Sequence, residues 1–314
     1  MAHTRSDRSV VRAFVAAIGA FAFAFAFAPR ALAVEIFACE PEWAALARAL
    51  APQARVFSAT HARQDPHHIE ARPSLIAALR RADLAVCTGA SLEEGWLPML
   101  QRRSGNPATQ DGRPGMFYAA QVVELAGALP NADRSLGHVH AEGNPHFHLD
   151  PHRLQQVAAA LAERLALIDA ARATSYRERH AQWARDWQQR IRRWQTQAAP
   201  LRDRVVVAQH ADFGYLWDWL GIHQIADLEP LPGMPPTVAH LQQVLDDVRA
   251  APPGAIVQTL YQDPQSGRWL ASRIGVPLLT LPSTVTQEPP SDDLAGLFDM
   301  LIERLIQALV PPPR

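Results

Sequence analysis

ARATSYRERHAQWARDWQQRIRRWQTQAA, residues 171–199, runs without Pro or Gly. As one α-helix it would be ~44 Å long at 1.5 Å per residue, enough to run the length of a domain pair. Trp183, Trp187, Ile191 and Trp194 recur along it at helical spacing. That stripe suits packing against a core better than a cofactor box. Pro200 then ends the pattern.

Upstream, short apolar runs alternate with helical patterns. VEIFA (34–38), RVFSA (55–59) and DLAVCTG (83–89) read as strands, with PEWAALARALA and SLIAALRRA (74–82, capped by Ser74) as the helices between them. A Gly/Pro-rich segment, 102–115, precedes a weaker strand, MFYAA. Asp150-Pro151 then opens a helix over 152–168, with Asp as the cap and Pro at the first helical position. Downstream of Pro200 the rhythm restarts. RVVVAQ (204–209), HQIADL (223–228), AIVQTL (255–260) and VPLLTL (276–281) read as strands. Helices are FGYLWDWLG closed by Gly221, a segment capped by Thr237, another around 265–274, and a last amphipathic one from DDLAGLF onward. This βαβα order predicts an α/β chain with two lobes. Each lobe holds a roughly four-stranded parallel sheet flanked by helices, and one long α-helix bridges them. The boundaries read as 34–168 for the first lobe, 169–200 for the connecting helix and 201–314 for the second lobe.

The first 33 residues read as a secretion signal. Arg5, Arg8 and Arg12 precede an apolar stretch from Ala13 to Ala28, and Ala31-Leu32-Ala33 is an A-x-A cleavage signal. The apolar run is shorter than the ~20 residues that span a bilayer. Cleavage after Ala33 is expected, with export by the general secretory route because the leader has no Arg-Arg pair. No later stretch reads as a transmembrane helix, so the mature chain is expected to be soluble and exported. Losing Arg5, Arg8, Arg12, Arg30 and Asp7 turns a net charge of −1 into −4. That balance argues against nucleic acid or anionic membrane as partner. The two cysteines, Cys39 and Cys87, both fall near predicted strand ends. They are either a disulfide, which export permits, or two small buried thiols.

The histidines carry the chemistry. Four of the 13 fall in eleven residues: His138, His140, His146 and His148. His67 and His68 follow the second strand, His146 sits in GNPHFHLDP (143–151), and His210 follows the strand VVVAQ directly. Ligands of open α/β sheets bind outside the carboxyl ends of strands. Asp65-Pro66-His67 and Asn144-Pro145-His146 repeat one Asx-Pro-His tripeptide in separate loops. The proline restricts each loop and the Asx suits a turn, which lowers the cost of presenting the ring. Three imidazoles with a carboxylate or water make a normal zinc geometry.

QDPHHIEARPSLIAALRRADLAVCTGASLEEGW (64–96), NPHFHLDP (144–151) and VVVAQHADFGYLWDWLG (205–221) together resemble the zinc/manganese-type (cluster A-I, zinc-uptake-like) periplasmic substrate-binding proteins of metal ABC transporters. The resemblance covers essentially all of the chain after the leader. It implies two lobes bridged by a long helix and metal ligands at His67, His146 and His210. It also implies Zn²⁺ as cargo, delivery to a membrane permease with its ATPase, a periplasmic location, a monomer, and no enzymatic activity. His at the third position resembles the zinc members. The chain departs from the family at the fourth ligand: LPSTVTQEPP (281–290) has Pro282 where an acidic residue is common. A Glu common after the preceding strand is also replaced, by Thr259 or nearby; Asp263, in YQDP, is the nearest carboxylate there, with His140 or water as the alternatives. His138 and His140 resemble a reduced form of the His-rich loop of some zinc members. His68 reads as an outward neighbour, His148 as an outer partner of the site, and Glu70 as an orienting hydrogen-bond partner. His152, His180, His223 and His240 read as ordinary surface or core residues. An exported zinc hydrolase would also use three His and an open position, but there is no HExxH motif. A carrier of Mn, Ni or Cu would keep the same fold.

Overall fold

Alternation along strand β1 (Glu35–Ala38) builds the first layer. Ile36 and Ala38 join one apolar cluster, whereas Phe37 and, just past the strand, Cys39 join another. Strand β3 (Leu84–Cys87) repeats the pattern, with Leu84 and Val86 on one side and Ala85 and Cys87 on the other. Strands buried on both faces need cover on both sides, which a parallel sheet between helices supplies. In the computed structural model, which describes residues 33–128 and 140–311, that is the arrangement. Residues 1–32 of the expected leader and His138 lie outside the described residues.

The first sheet has the order β2 (Arg55–Ser58), β1, β3, β4 (Met116–Tyr118), all parallel. The second repeats it with β6 (His223–Asp227), β5 (Val205–Ala208), β7 (Ala255–Thr259) and β8 (Leu278–Leu281). In each sheet the chain leaves its first strand to one side and then returns to the other. The switch points lie between β1 and β3 and between β5 and β7. Crevices at the carboxyl ends of such strands are where these sheets hold ligands.

The helices are α1 (Pro41–Leu50), α2 (Pro73–Arg81), α3 (Leu97–Ser104), α4 (Pro151–Ile168), α5 (Ala173–Ala198), α6 (Gly214–Leu220), α7 (Val238–Val248), α8 (Gln265–Ile274) and α9 (Leu294–Leu309). Asp150 caps α4 by accepting the His152 N–H at 2.8 Å, and Thr237 caps α7 through the His240 N–H at 3.3 Å. Gly221, in the left-handed region, ends α6. Two local expectations are corrected. Ser74 is not the cap of α2, because Pro73 already occupies its first turn and Arg72 stands at the cap. Helix α3, closed by Gly105, occupies the start of a stretch whose glycines and prolines suggest a loop. None of the described helices is long and apolar enough to cross a membrane.

Helix α5 is ~39 Å long at 1.5 Å per residue. Its Trp187, Ile191 and Trp194 are buried in one apolar cluster that takes residues from both sheets and from α9. Trp187 donates its indole N–H to the Pro151 carbonyl at 2.9 Å, and Trp194 donates to Asp299 at 2.6 Å. The tryptophan stripe is therefore packing, as its spacing implies.

Cys39 and Cys87 form a disulfide. Ala38 pairs with Val86 in the β1–β3 ladder, so the next residues of these two strands face each other. Beside it lie two buried carboxyls. Glu93 accepts the Thr88 and Gly89 N–H groups at 2.6 and 3.0 Å, and Glu40 accepts the Thr88 hydroxyl at 3.0 Å. Burial raises the Glu93 carboxyl to about 7. Burial, then the charges of Glu93 and Glu42, hold Glu40 well above the usual carboxylate range. Folded-state values above the unfolded ones stabilise the fold at low pH. That contribution is complete below about pH 4.5 and is lost as pH rises through about 7. Glu40→Gln supplies a permanent amide donor where the pair otherwise needs a proton. Urea unfolding between pH 5 and 8 is expected to lose less stability with rising pH in Glu40→Gln than in the wild type. Equal pH slopes would contradict this account of the pair.

Candidate metal centre

The two Asx-Pro-His tripeptides fold alike. The Asp65 carboxylate accepts the His67 backbone N–H at 3.0 Å, and the Asn144 side-chain oxygen accepts that of His146 at 2.9 Å. Each is an Asx turn that fixes the residue two positions on. Trp96 anchors the first loop by donating its indole N–H to the Pro66 carbonyl at 2.9 Å. The second loop is held across the lobes. The Asn144 amide donates to the Ala211 carbonyl at 3.0 Å, and the Tyr215 hydroxyl of α6 donates to the Asn144 carbonyl at 2.8 Å.

These turns bring His67, His146 and His210 together. Their ring centroids lie 5.9 Å (His67–His146), 6.2 Å (His146–His210) and 6.4 Å (His67–His210) apart. The orientation is set by carboxylates. His67 Nδ1 is 2.7 Å from Asp65 and His210 Nδ1 is 2.9 Å from Glu229. A ring that donates its Nδ1–H to a carboxylate keeps the Nε2 lone pair for a metal, and the carboxylate raises its basicity. His140 joins the group, its Nε2 3.2 Å from His67 Nε2.

Asp212 is the residue the sequence reading lacks. Its carboxylate is 1% exposed, lies 3.8 Å from His146 Nε2, and with His146 and His210 forms a group whose ligand atoms all fall within 4.8 Å of one another. The Tyr261 hydroxyl and the Gln262 amide donate to its two oxygens at 2.8 and 3.0 Å. Asp263, the carboxylate expected nearest, is not brought into this group. It is exposed and its Oδ1 accepts the Gln265 N–H at 2.9 Å, spent at the start of α8. Tyr261 and Gln262, just before it in the same loop, turn inward instead and serve Asp212. Glu70 is also exposed, and Asp65 and Glu229 do the orienting expected of it. His68 is exposed, as an outward neighbour should be, and His148 is buried beside the site.

The electrostatics are divided. Burial, then the charges of His67, His210, His148 and His140, push His146 well below its usual value, so it is neutral. Burial opposes the charged form of His210 too, but Asp212, the Glu229 hydrogen bond and Asp227 outweigh it and raise the ring to about 9. Burial also opposes ionisation of Asp65, yet its bond to His67 holds it below the usual carboxylate range. A cleft of about 240 Å³ opens onto His67 and His210, lined also by Glu229 and Tyr261. His146, 5% exposed, lies deeper. Three imidazoles and a carboxylate converging at the edge of a cleft suit a four-coordinate transition metal.

A sequence profile described as zinc-uptake complex component A, periplasmic (ZnuA), matches residues 36–308. Among solved structures, one of ZnuA superposes with a TM-score of 0.74 at 20% identity, over 88% of this chain and all of that one. A zinc-bound deletion mutant of ZnuA gives 0.73 at 19%, over 90% and 100%. The substrate-binding protein FpvC from Pseudomonas aeruginosa, in complex with Mn²⁺, gives 0.69 at 20%, over 88% and 99%. These structures share the fold. No curated protein matches the chain in sequence. By its profile match over most of its length, the chain belongs to the ZnuA family of periplasmic metal-binding proteins, which are substrate-binding components of transporters and not enzymes.

Proposed function

We propose that this chain, exported with its leader removed after Ala33, binds one Zn²⁺ in the interlobe cleft and hands it, as a monomer, to the membrane permease of an ABC transporter. The ligands are His67, His146, His210 and Asp212. No bond is made or broken in the cargo beyond coordination: the ion meets His67 and His210 at the cleft and His146 at its floor. The observation that carries this reading is the pairing of His67 and His210, each through Nδ1, with a carboxylate. That arrangement orients both rings so that their Nε2 atoms, with that of His140 beside His67, can be offered to an ion.

An imidazole-rich set favours zinc over manganese, whose preference is for oxygen ligands. FpvC in complex with Mn²⁺ shares the fold, so manganese is the second reading to be tested. The fourth ligand gives a sharp contrast. Asp212→Asn is expected to weaken zinc binding by roughly 10–100-fold or more, the range seen when even an outer partner of a metal site is lost. Asp263→Asn is expected to leave it unchanged. Competition against a chelator of known affinity measures both. Equal affinities for the two variants would remove Asp212 from the ligand set.

A further inference from the structure

His148 is 4% exposed, edge-on to the Trp43 indole at 6.3 Å, and lies two residues beyond His146 in the same short turn. Its Nε2 is 2.7 Å from the Ser283 carbonyl oxygen. A carbonyl only accepts, so this nitrogen carries the hydrogen. Its Nδ1 lies 3.3 Å from the Glu42 carboxylate, a contact not aligned as a hydrogen bond. The other oxygen of Glu42 accepts the Thr284 hydroxyl hydrogen. Glu42 belongs to the first turn of α1 in the first lobe. Ser283 and Thr284 follow β8 of the second lobe. One imidazole therefore touches both lobes. His146, His148, Asp212, Glu42 and Thr284 line a common cavity of about 20 Å³.

We propose that His148 is a positioning residue for metal retention: by holding the Ser283–Thr284 loop at Ser283 while Glu42 holds it at Thr284, it keeps the His146 turn and Asp212 registered across the lobe boundary and slows release of the ion. This rests on the metal-carrier reading above. The tie acts through position, since neither His148 nor Glu42 is assigned as a ligand.

The test is the rate at which zinc-loaded protein gives up its metal to excess chelator, with the visible absorption of the Co²⁺-substituted protein as a report on site geometry. His148→Phe keeps the aromatic contact with Trp43 and removes both polar links. Glu42→Ala removes the same tie from the other side. Both are expected to raise the dissociation rate on the order of 10-fold and to shift the Co²⁺ bands. In Glu42→Gln the side-chain amide oxygen still accepts from Thr284, so the wild-type rate is restored, which a loss of the carboxylate charge alone would not predict. Thr284→Val is expected to raise the rate alone and to add little in the His148→Phe background, because both act through Glu42. Should His148→Phe fail to fold, Thr284→Val and Glu42→Gln decide. Wild-type rates and Co²⁺ spectra in His148→Phe and Glu42→Ala would overturn the proposal while leaving the carrier reading intact. A wild type that holds neither zinc nor manganese would overturn the carrier reading, and the proposal with it.

Discussion

His146→Ala is expected to lower zinc affinity by at least ~100-fold, because loss of a mere outer partner of a metal-bound histidine already costs roughly 10–100-fold. Three features single out this ring. It lies at the floor of the cleft, 5% exposed, where water is poorly placed to substitute for the lost nitrogen. Burial keeps it neutral, so its lone pair is available without displacing a proton. Its backbone is fixed by the Asn144 turn and by the contacts of that turn with Ala211 and Tyr215 in the other lobe. The alanine variant should fold, since the turn is set by Asn144 and Pro145 and the ring packs mainly against other imidazoles. Chelator competition with the purified variant measures the loss. His152→Ala, altering an exposed residue at the start of α4, serves as the control and is expected to bind as the wild type does. Retained affinity in His146→Ala would remove that ring from the site.

Trp194→Ala is expected to destabilise the fold by about 3–5 kcal/mol, the usual cost of truncating a buried tryptophan. The ring is fully buried on α5, stacks on Phe298 of α9 at 5.0 Å and meets Trp187 edge-on at 5.1 Å. Its loss opens a cavity in the apolar cluster shared by the two sheets and leaves Asp299 without the indole donor. Urea unfolding of the metal-free protein gives the difference. A loss below about 1 kcal/mol, typical of surface changes, would mean that α5 does not hold this core together.

Much of this was legible before any coordinates. The inner strands β1, β3, β5 and β7 are legible because parallel strands buried on both faces keep an apolar signal that does not depend on long-range detail, and the edge strands β2 and β6 show as the alternation of a half-covered strand. The tryptophan spacing on 171–199 gave the bridging helix. The repeated Asx-Pro-His tripeptide marked two loops that do form the same turn. What stayed hidden depends on neighbours across strands and lobes. Glu229 could have been found: β5 and β6 pair with Ala208 opposite Asp227, so two residues further on His210 comes beside Glu229. The same reasoning places Cys39 beside Cys87. Asp212 had no such signal. The turn Ala211–Phe213 aims it at His146 of the other lobe, and only Tyr261 and Gln262, fifty residues on, hold it there. Its place just after the next-to-last strand favours Asp263, but local capping of α8 claims that carboxylate. His148 was equally ambiguous, since the partner that gives it a role, Ser283, is 135 residues away.

The measurement that tests the central claim most directly is competition between Zn²⁺ and Mn²⁺ for the metal-free protein, against chelators of known affinity, with bound metal counted per chain. One tightly held zinc per chain, preferred over manganese and lost in His67→Ala and His210→Ala, is the predicted result. A preference for manganese, or tight zinc that survives both substitutions, would contradict the site described.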